Sequence, residues 1–313
     1  MEYRIFGKTG LRVSEIGFGA WAIGGLGWGN DITDDNSSAA LEEAWQQGIN
    51  LFDTADAYGN GHSEELIGAF LKGRRQDAVI VTKGGTNFRL PERSKNFTRD
   101  YLMMCLDESL KRLGTDYIDV YLLHVPSADW QDREHVLDTL KEMKASGKTR
   151  FAGLAMWGAA DSLHALNRDE DRIIDVLEVP FNILNKSNPE VIRIAKEREI
   201  PVMTSEPLCS GILTGKYGAQ TVFADGDHRK GFWSGKRWEE LRESLAAIEI
   251  CAKEQKLSMS ELALAYNLSW PGISCVIPGG RTAEQVKHNA AAAGLRIPDE
   301  VREKLFALPG FVY

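Results

Sequence analysis

Apolar and polar positions along the chain alternate between two periods. Short β-branched or aliphatic runs read as buried strands. The longer stretches between them, with apolar residues three and four apart, read as amphipathic helices. Eight runs occur, at 14–19, 49–54, 78–83, 117–124, 149–155, 174–182, 200–208 and 274–279. Helical patterns follow or separate them at 35–47, 62–73, 98–113, 133–146, 159–167, 188–198, 236–255, 259–269, 282–293 and 298–307. Strands that alternate with helices predict a parallel sheet. Eight such units predict an α/β chain folded as a (β/α)8 TIM barrel, one domain over residues 1–313. The first dozen residues read as a β-hairpin around Gly7–Gly10. A doubly wound sheet is the rival, but it needs fewer strands or two domains, and no low-complexity linker divides the chain. The one long irregular stretch, 209–235, is of the kind that often carries function.

The segment "GFGAWA" at 17–22 fits the spacing of a dinucleotide fingerprint. That fingerprint must open a helix directly. Here "IGGLGWGN" intervenes before the first helical pattern, which argues against a Rossmann unit.

The strand ends carry more chemistry. In a barrel the reacting groups gather where strands end. The second run closes on Asp53, the third on Lys83 and the fourth on His124, and Tyr58 follows Asp53 by five residues. A phenol is a weak acid, with an ordinary pKa of about 10. A neighbouring ammonium is expected to lower that value. Asp53 would hold Lys83 charged, and His124 would donate a hydrogen bond to a carbonyl oxygen. The set can protonate an oxygen that gains negative charge, but it holds no nucleophile of its own. It therefore suits a reaction whose harder step belongs to a cofactor, such as hydride delivery. Taken singly, each of these residues has a plainer reading as a turn cap, a solvated charge or a backbone-satisfied histidine. Their joint placement at consecutive strand ends is what favours a site.

The net charge is −8, from 37 basic and 45 acidic residues, and no Lys/Arg stripe is present, which argues against a nucleic-acid partner. Cys105, Cys209, Cys251 and Cys275 show no C-x-x-C spacing and read as reduced, buried thiols. The N-terminal residues lack an apolar signal core, and no apolar run approaches membrane-spanning length. A cytoplasmic protein with no membrane partner is the expectation.

The chain resembles the aldo-keto reductase superfamily. "GFGAWAIGG", "GINLFDTADAYGNGHSEELIG", "VIVTK", "SLKRLGTDYIDVYLLH", "SGILTGK" and "VIPGGRTAEQVKHN" stand in that superfamily's order over nearly the whole chain. The resemblance implies a barrel that binds NADPH or NADP+, with NADH less favoured, and that reduces a small carbonyl compound or oxidises its alcohol. It implies Tyr58 as general acid, Lys83 and Asp53 as its partners, and His124 as the carbonyl orienter. It places Gly19, Ala20 and Trp21 against the cofactor. It makes Leu208, Ser210, Gly211, Leu213 and Lys216 a strap over the pyrophosphate. Ile277, Gly279, Gly280, Arg281, Gln285 and Asn289 become the adenosine site, with Arg281 on the 2′-phosphate. A metal is not implied. Trp21, Trp28 and Trp157, with Tyr58 and His124, are candidates for the substrate pocket, and Trp233 is placed near the same face. The short tail after Leu308 leaves that side of the pocket open.

Four positions depart from the family pattern around the nicotinamide. Ala155-Met156 stand where Ser-Asn is usual, Glu178 where Gln is usual and Ser205 where a stacking Tyr is usual. The carboxylate of Glu178 is expected to favour the positive ring of NADP+. The departures keep a second reading open: a cofactor-binding regulatory subunit resembling potassium-channel β subunits. A third, a metal-dependent sugar isomerase, needs clustered acids and histidines at strand ends, and Lys83 in their midst opposes a divalent cation. The sequence leaves the substrate, the physiological direction and the oligomeric state open.

Overall fold

The computed structural model describes residues 1–28, 32–89, 94–126, 133–218, 220–233 and 236–311. An antiparallel hairpin opens the chain, with β1 (Tyr3–Ile5) paired to β2 (Arg12–Ser14). Eight parallel strands follow: β3 (Phe18–Gly19), β4 (Leu51–Asp53), β5 (Val79–Gly84), β6 (Ile118–His124), β7 (Thr149–Ala155), β8 (Val176–Pro180), β9 (Val202–Ser205) and β10 (Ile273–Val276). Each pairs with the next in sequence order. The first and last meet through parallel bridges Ile16↔Val276 and Gly19↔Gly279, which close the barrel. The predicted (β/α)8 fold with its N-terminal hairpin is the observed one.

The helices are α1 (Asp34–Gln46), α2 (His62–Phe70), α3 (Arg99–Leu113), α4 (Arg133–Ala145), α5 (Ala159–Asn167), α6 (Pro189–Glu197), α7 (Arg229–Phe232), α8 (Lys236–Glu254), α9 (Met259–Leu268), α10 (Ala283–Ala290) and α11 (Asp299–Ala307). Local chemistry sets several of their ends. Thr33 accepts from the Asn36 N–H at the start of α1, and Ser258 with Glu261 forms a reciprocal capping box on α9. Gly114 ends α3 in the left-handed conformation. The strands are shorter than their apolar runs. Pro201 and Pro207 flank β9 without an N–H to donate, which trims the 200–208 run to four residues.

Period-two alternation divides the strand residues between two cores. Phe52, Ile80, Tyr121, Leu123, Leu154 and Leu177 face outward and pack with helix residues such as Leu41, Leu106 and Leu140. Leu51, Val81, Leu122, Val176, Met203 and Cys275 fill the barrel, with Phe6, Leu11 and Val13 of the hairpin region against them. Fully burying each large side chain contributes about 1.5–3 kcal/mol. All four cysteines are buried free thiols. Among the described residues no helix is long and apolar enough to cross a membrane.

Candidate active site

The inward alternation determines what faces the open end of the barrel. Leu51 is followed two residues on by Asp53, Val81 by Lys83, Leu122 by His124, Val176 by Glu178 and Met203 by Ser205. Each apolar inward position is thus succeeded, near the end of its strand, by a polar one. Parallel register sets Asp53 beside Val81 and His124 beside Ala155, and Ala155 beside Glu178.

Lys83 is the hub. Its Nζ donates to Asp53 Oδ2 at 2.6 Å, to the Thr54 carbonyl at 3.0 Å and to the Tyr58 hydroxyl at 3.5 Å. Glu178 Oε2 lies 3.1 Å from the same nitrogen. That approach is a charge contact only: Oε2 is buried and has no hydrogen-bond donor. Lys83 is fully buried, and Asp53 and Glu178 are nearly so. β5 and β8 are separated in the sheet by β6 and β7, so the Lys83–Glu178 contact spans the barrel.

The loop after β4 is held firmly. Thr54 and Asp56 continue the ladder by donating N–H groups to Val81 and Lys83. Gly59 takes a positive φ of 61°, and a Cβ there would stand 2.2 Å from the Gly24 carbonyl oxygen. Only glycine allows the first and second loops to close to this distance, which positions Tyr58. The Tyr58 and His124 rings meet edge to face at 5.8 Å. Trp21 lies 6.2 Å from Tyr58 and 5.0 Å from Trp28.

Burial pulls Lys83 down, but Asp53 and Glu178 outweigh it, so the ammonium is held charged well above the ordinary lysine range. Asp53 is pushed up, first by burial and then by Glu178, against the pull of Lys83. Tyr58 differs from the expectation. Lys83 does favour its phenolate, but burial and the two carboxylates outweigh it, and the phenol is raised rather than lowered. The resting group is a neutral proton donor. Asp56, two residues before Tyr58, is pushed up to about 8 by burial and by the Glu64 carboxylate.

A cavity of about 480 Å³ runs from this cluster to α10. Asp53, Tyr58 and His124 line it, as do Gly19, Trp21, Trp28, Ala155, Met156, Trp157, Glu178 and Ser205. Leu208, Ser210, Gly211 and Lys216 line its middle, and Ile277, Gly279, Arg281, Gln285 and Asn289 its far end. Three expected contacts fall outside it. Ala20 and Leu213 are fully buried in the outer core. Gly280 faces Val286, whose Cγ2 would lie 2.7 Å from an added Cβ. Trp233 is likewise buried in the outer core and does not line the cavity.

At the far end Thr282 caps α10 by accepting from the Gln285 N–H, while Gln285 Oε1 accepts from the Arg281 N–H. The Arg281 guanidinium donates to the Trp28 carbonyl at 3.3 Å, and Asn289 Nδ2 donates to the Gly279 carbonyl. From the segment after β9, Ser210, Gly211, Thr214, Lys216, Tyr217 and Arg229 line the cavity. A tight turn at Cys209–Thr214 is followed by His228, whose Nδ1 lies 2.8 Å from the Gly27 carbonyl and whose ring packs on Trp21 and Trp28. Sequence reasoning missed several lining residues: Tyr217 and Arg229 in this segment, and Ser258, Ser260 and His288 around α9 and α10. For the last group the signal was available, because Ser258–Glu261 is a recognisable capping box whose helix start faces the adjacent loop.

Comparison with known proteins shows the family and the fold. The sequence profile of the Aldo/keto reductase family matches residues 15–308. The chain is 31% identical to "Aldo-keto reductase YhdN" of Bacillus subtilis (strain 168), over 96% of this chain and 91% of that protein. It is 29% identical to a "Probable voltage-gated potassium channel subunit beta" of Oryza sativa subsp. japonica, over 98% and 96% of the two chains. Among solved structures, aldo-keto reductase AKR11C1 from Bacillus halodurans (holo form) superposes with a TM-score of 0.84 at 26% identity, covering 100% of this chain and 98% of that one.

Proposed function

The chain belongs to the aldo/keto reductase family, and we propose that it is an NADP(H)-dependent oxidoreductase interconverting a small aldehyde, ketone or sugar-like carbonyl and its alcohol, with Tyr58 as the proton donor. One observation carries the reading: a single cavity joins a buried Asp53–Lys83–Tyr58 relay to an arginine-bearing helix N-terminus.

The residues present fit a nicotinamide dinucleotide. Glu178 Oε2 is a buried acceptor without a donor in the cavity wall, suited to an amide N–H. A Cβ added to Gly279 would meet nothing nearer than the Gly19 carbonyl oxygen at 3.7 Å, which leaves room for close approach to the backbone. The Arg281 guanidinium and the start of α10 suit an anion. When bound, the reduced nicotinamide supplies the hydride that the protein's own side chains lack.

The side chains complete the reaction. As negative charge builds on the carbonyl oxygen, Tyr58 donates its phenolic proton to it. Lys83, behind the phenol, stabilises the phenolate left behind, and Asp53 and Glu178 hold Lys83 in place. His124 orients the carbonyl by hydrogen bonding to the same oxygen. Trp21, Trp28 and Trp157 form the aromatic wall against which the substrate packs. In the oxidative direction the same phenol oxygen receives the proton.

The test is a fluorescence titration of the purified protein with NADPH and separately with NADH, followed by a carbonyl panel on the same sample. Tighter binding of NADPH together with turnover is expected. The altered ring surroundings, Ala155, Met156 and Ser205, favour one second reading, a regulatory subunit that binds cofactor without turning over. Tight NADPH binding with no turnover on any carbonyl would establish that reading instead.

A further inference from the structure

The cluster around Lys83 holds one more carboxylate than it needs. A single ammonium is neutralised by Asp53 alone, at 2.6 Å and with good hydrogen-bond geometry. Glu178 adds a second negative charge 3.1 Å from the same nitrogen, and its Oε2 is left without a donor in the wall of the cavity. Such an arrangement is costly on its own, because a buried charge without full compensation loses its hydration. The neighbouring elements do not relieve it. In register on either side of Glu178 stand Ala155 of β7 and Met203 of β9, neither of them charged. Across the barrel stand Lys83 of β5, Asp53 of β4 and the neutral phenol of Tyr58. His124 of β6 also lines this end, and the Cys275 thiol of β10, held neutral by burial, lies in the barrel core.

We propose that Glu178 makes this end of the cavity a net-anionic site that selects the oxidised, positively charged nicotinamide over the reduced, neutral one, and so biases the protein towards alcohol oxidation. The inference rests on the cofactor reading above. The phenol oxygen of Tyr58 and Oε2 of Glu178 both lie within 3.5 Å of Lys83 Nζ. A ring placed to exchange hydride beside Tyr58 is therefore close to Glu178 as well. With the oxidised ring bound, one ammonium, one ring cation and two carboxylates sum to zero. With the reduced ring, the sum is negative, and Asp53, crowded by burial and by the Glu178 carboxylate, retains a proton to offset it. The raised affinity of Asp53 for a proton agrees with this. Binding of the oxidised form then displaces that proton to solvent, whereas binding of the reduced form does not. Affinity for NADP+ rises with pH, and affinity for NADPH stays nearly level.

The experiment is calorimetric titration of the wild-type protein and of Glu178→Gln with NADP+ and with NADPH, at mildly acidic and mildly alkaline pH, in two buffers of unequal ionisation heat. In the wild type, NADP+ binding is expected to release a proton and NADPH binding to release less. Glu178→Gln is expected to lower the NADP+ to NADPH affinity ratio at alkaline pH about tenfold or more, and to flatten its pH dependence. If both forms bind and the ratio is unchanged in the variant, the inference is overturned while the cofactor reading stands. If neither form binds the wild type, the cofactor reading itself fails. The proton count needs only the wild type: equal release with both forms overturns the inference whether or not the variant folds.

Discussion

The two ends of the cavity are built by different means. At the Tyr58 end the polar groups stand on strand ends or in a loop that continues the strand ladder. Asp53, Lys83 and Glu178 are buried and ion-paired, and register with the ladder places them. At the α10 end the cavity is lined by loops, helix caps and residues such as Ser210, Lys216 and Arg229 of the long segment after β9. There Glu206, Cys209 and Ser210 all take left-handed φ angles near 51–52°, a conformation side chains adopt at a cost. The first end is built into the sheet and its ladder, the preorganisation that proton transfer calls for. The second is suited to closing around a long ligand. The proposed function therefore assigns chemistry to the strand-end groups and affinity to the loops.

The comparison is broken most severely at Tyr58. Tyr58→Phe keeps the ring and its packing but removes the proton, so turnover is expected to fall about 10²–10⁴-fold. NADPH affinity measured by fluorescence is expected to stay nearly constant. A parallel loss of affinity would mean that the two ends are not separate in function.

Lys83→Met removes the cation that, among the described residues, is ion-paired to both buried carboxylates, Asp53 and Glu178. Unfolding in urea is expected to show a loss of about 3–5 kcal/mol at alkaline pH. The loss shrinks as pH falls and Asp53, whose affinity for a proton is raised, takes one up. A pH-independent loss would show that packing, not charge, is what Lys83 contributes.

Asp56 gives a separate pH signature. Its folded-state pKa of about 8 lies above the ordinary 3.8. The cost of ionising it in the core is absent below the lower value, grows as pH rises between the two, and is complete above the higher one. Asp56→Asn is expected to stabilise the protein at alkaline pH by roughly 2–4 kcal/mol and to leave acid stability nearly unchanged. Denaturation midpoints at the two pH extremes check this.

The loop end is expected to respond through affinity. Arg281→Ala should weaken NADPH about 10–100-fold, the size of a lost charge-assisted contact, and NADH far less. Equal weakening of both cofactors would move the guanidinium away from the 2′-phosphate. The smallest effect is Thr282→Ala, which removes the cap of α10 and should cost about 1 kcal/mol in stability, read from thermal unfolding.

The same contrast explains what could be read from the sequence. The eight apolar runs located the strands because buried parallel strands leave a simple pattern. Asp53, Lys83 and His124 could be read because each closes such a run. The adenosine end and the strap drew on resemblance rather than pattern, because loop backbone has no period. Within those segments, Ala20, Leu213 and Gly280 face the core and do not line the cavity, which a resemblance of segments does not resolve. The Lys83–Glu178 pair was missed for another reason. Sequence order reveals neighbours in the sheet, but a contact across the barrel appears only once the sheet closes. The raised phenol of Tyr58 was missed because the two carboxylates and burial act together against Lys83.

The most direct test of the central claim is a single-turnover experiment. Wild-type protein and Tyr58→Phe are loaded with NADPH and mixed with the best carbonyl from the panel, and the near-ultraviolet absorbance of the bound cofactor is followed. The account predicts rapid loss of absorbance in the wild type and a bound, nearly unreacting cofactor in the variant. Equal rates in the two proteins would contradict the assignment of Tyr58 as the proton donor.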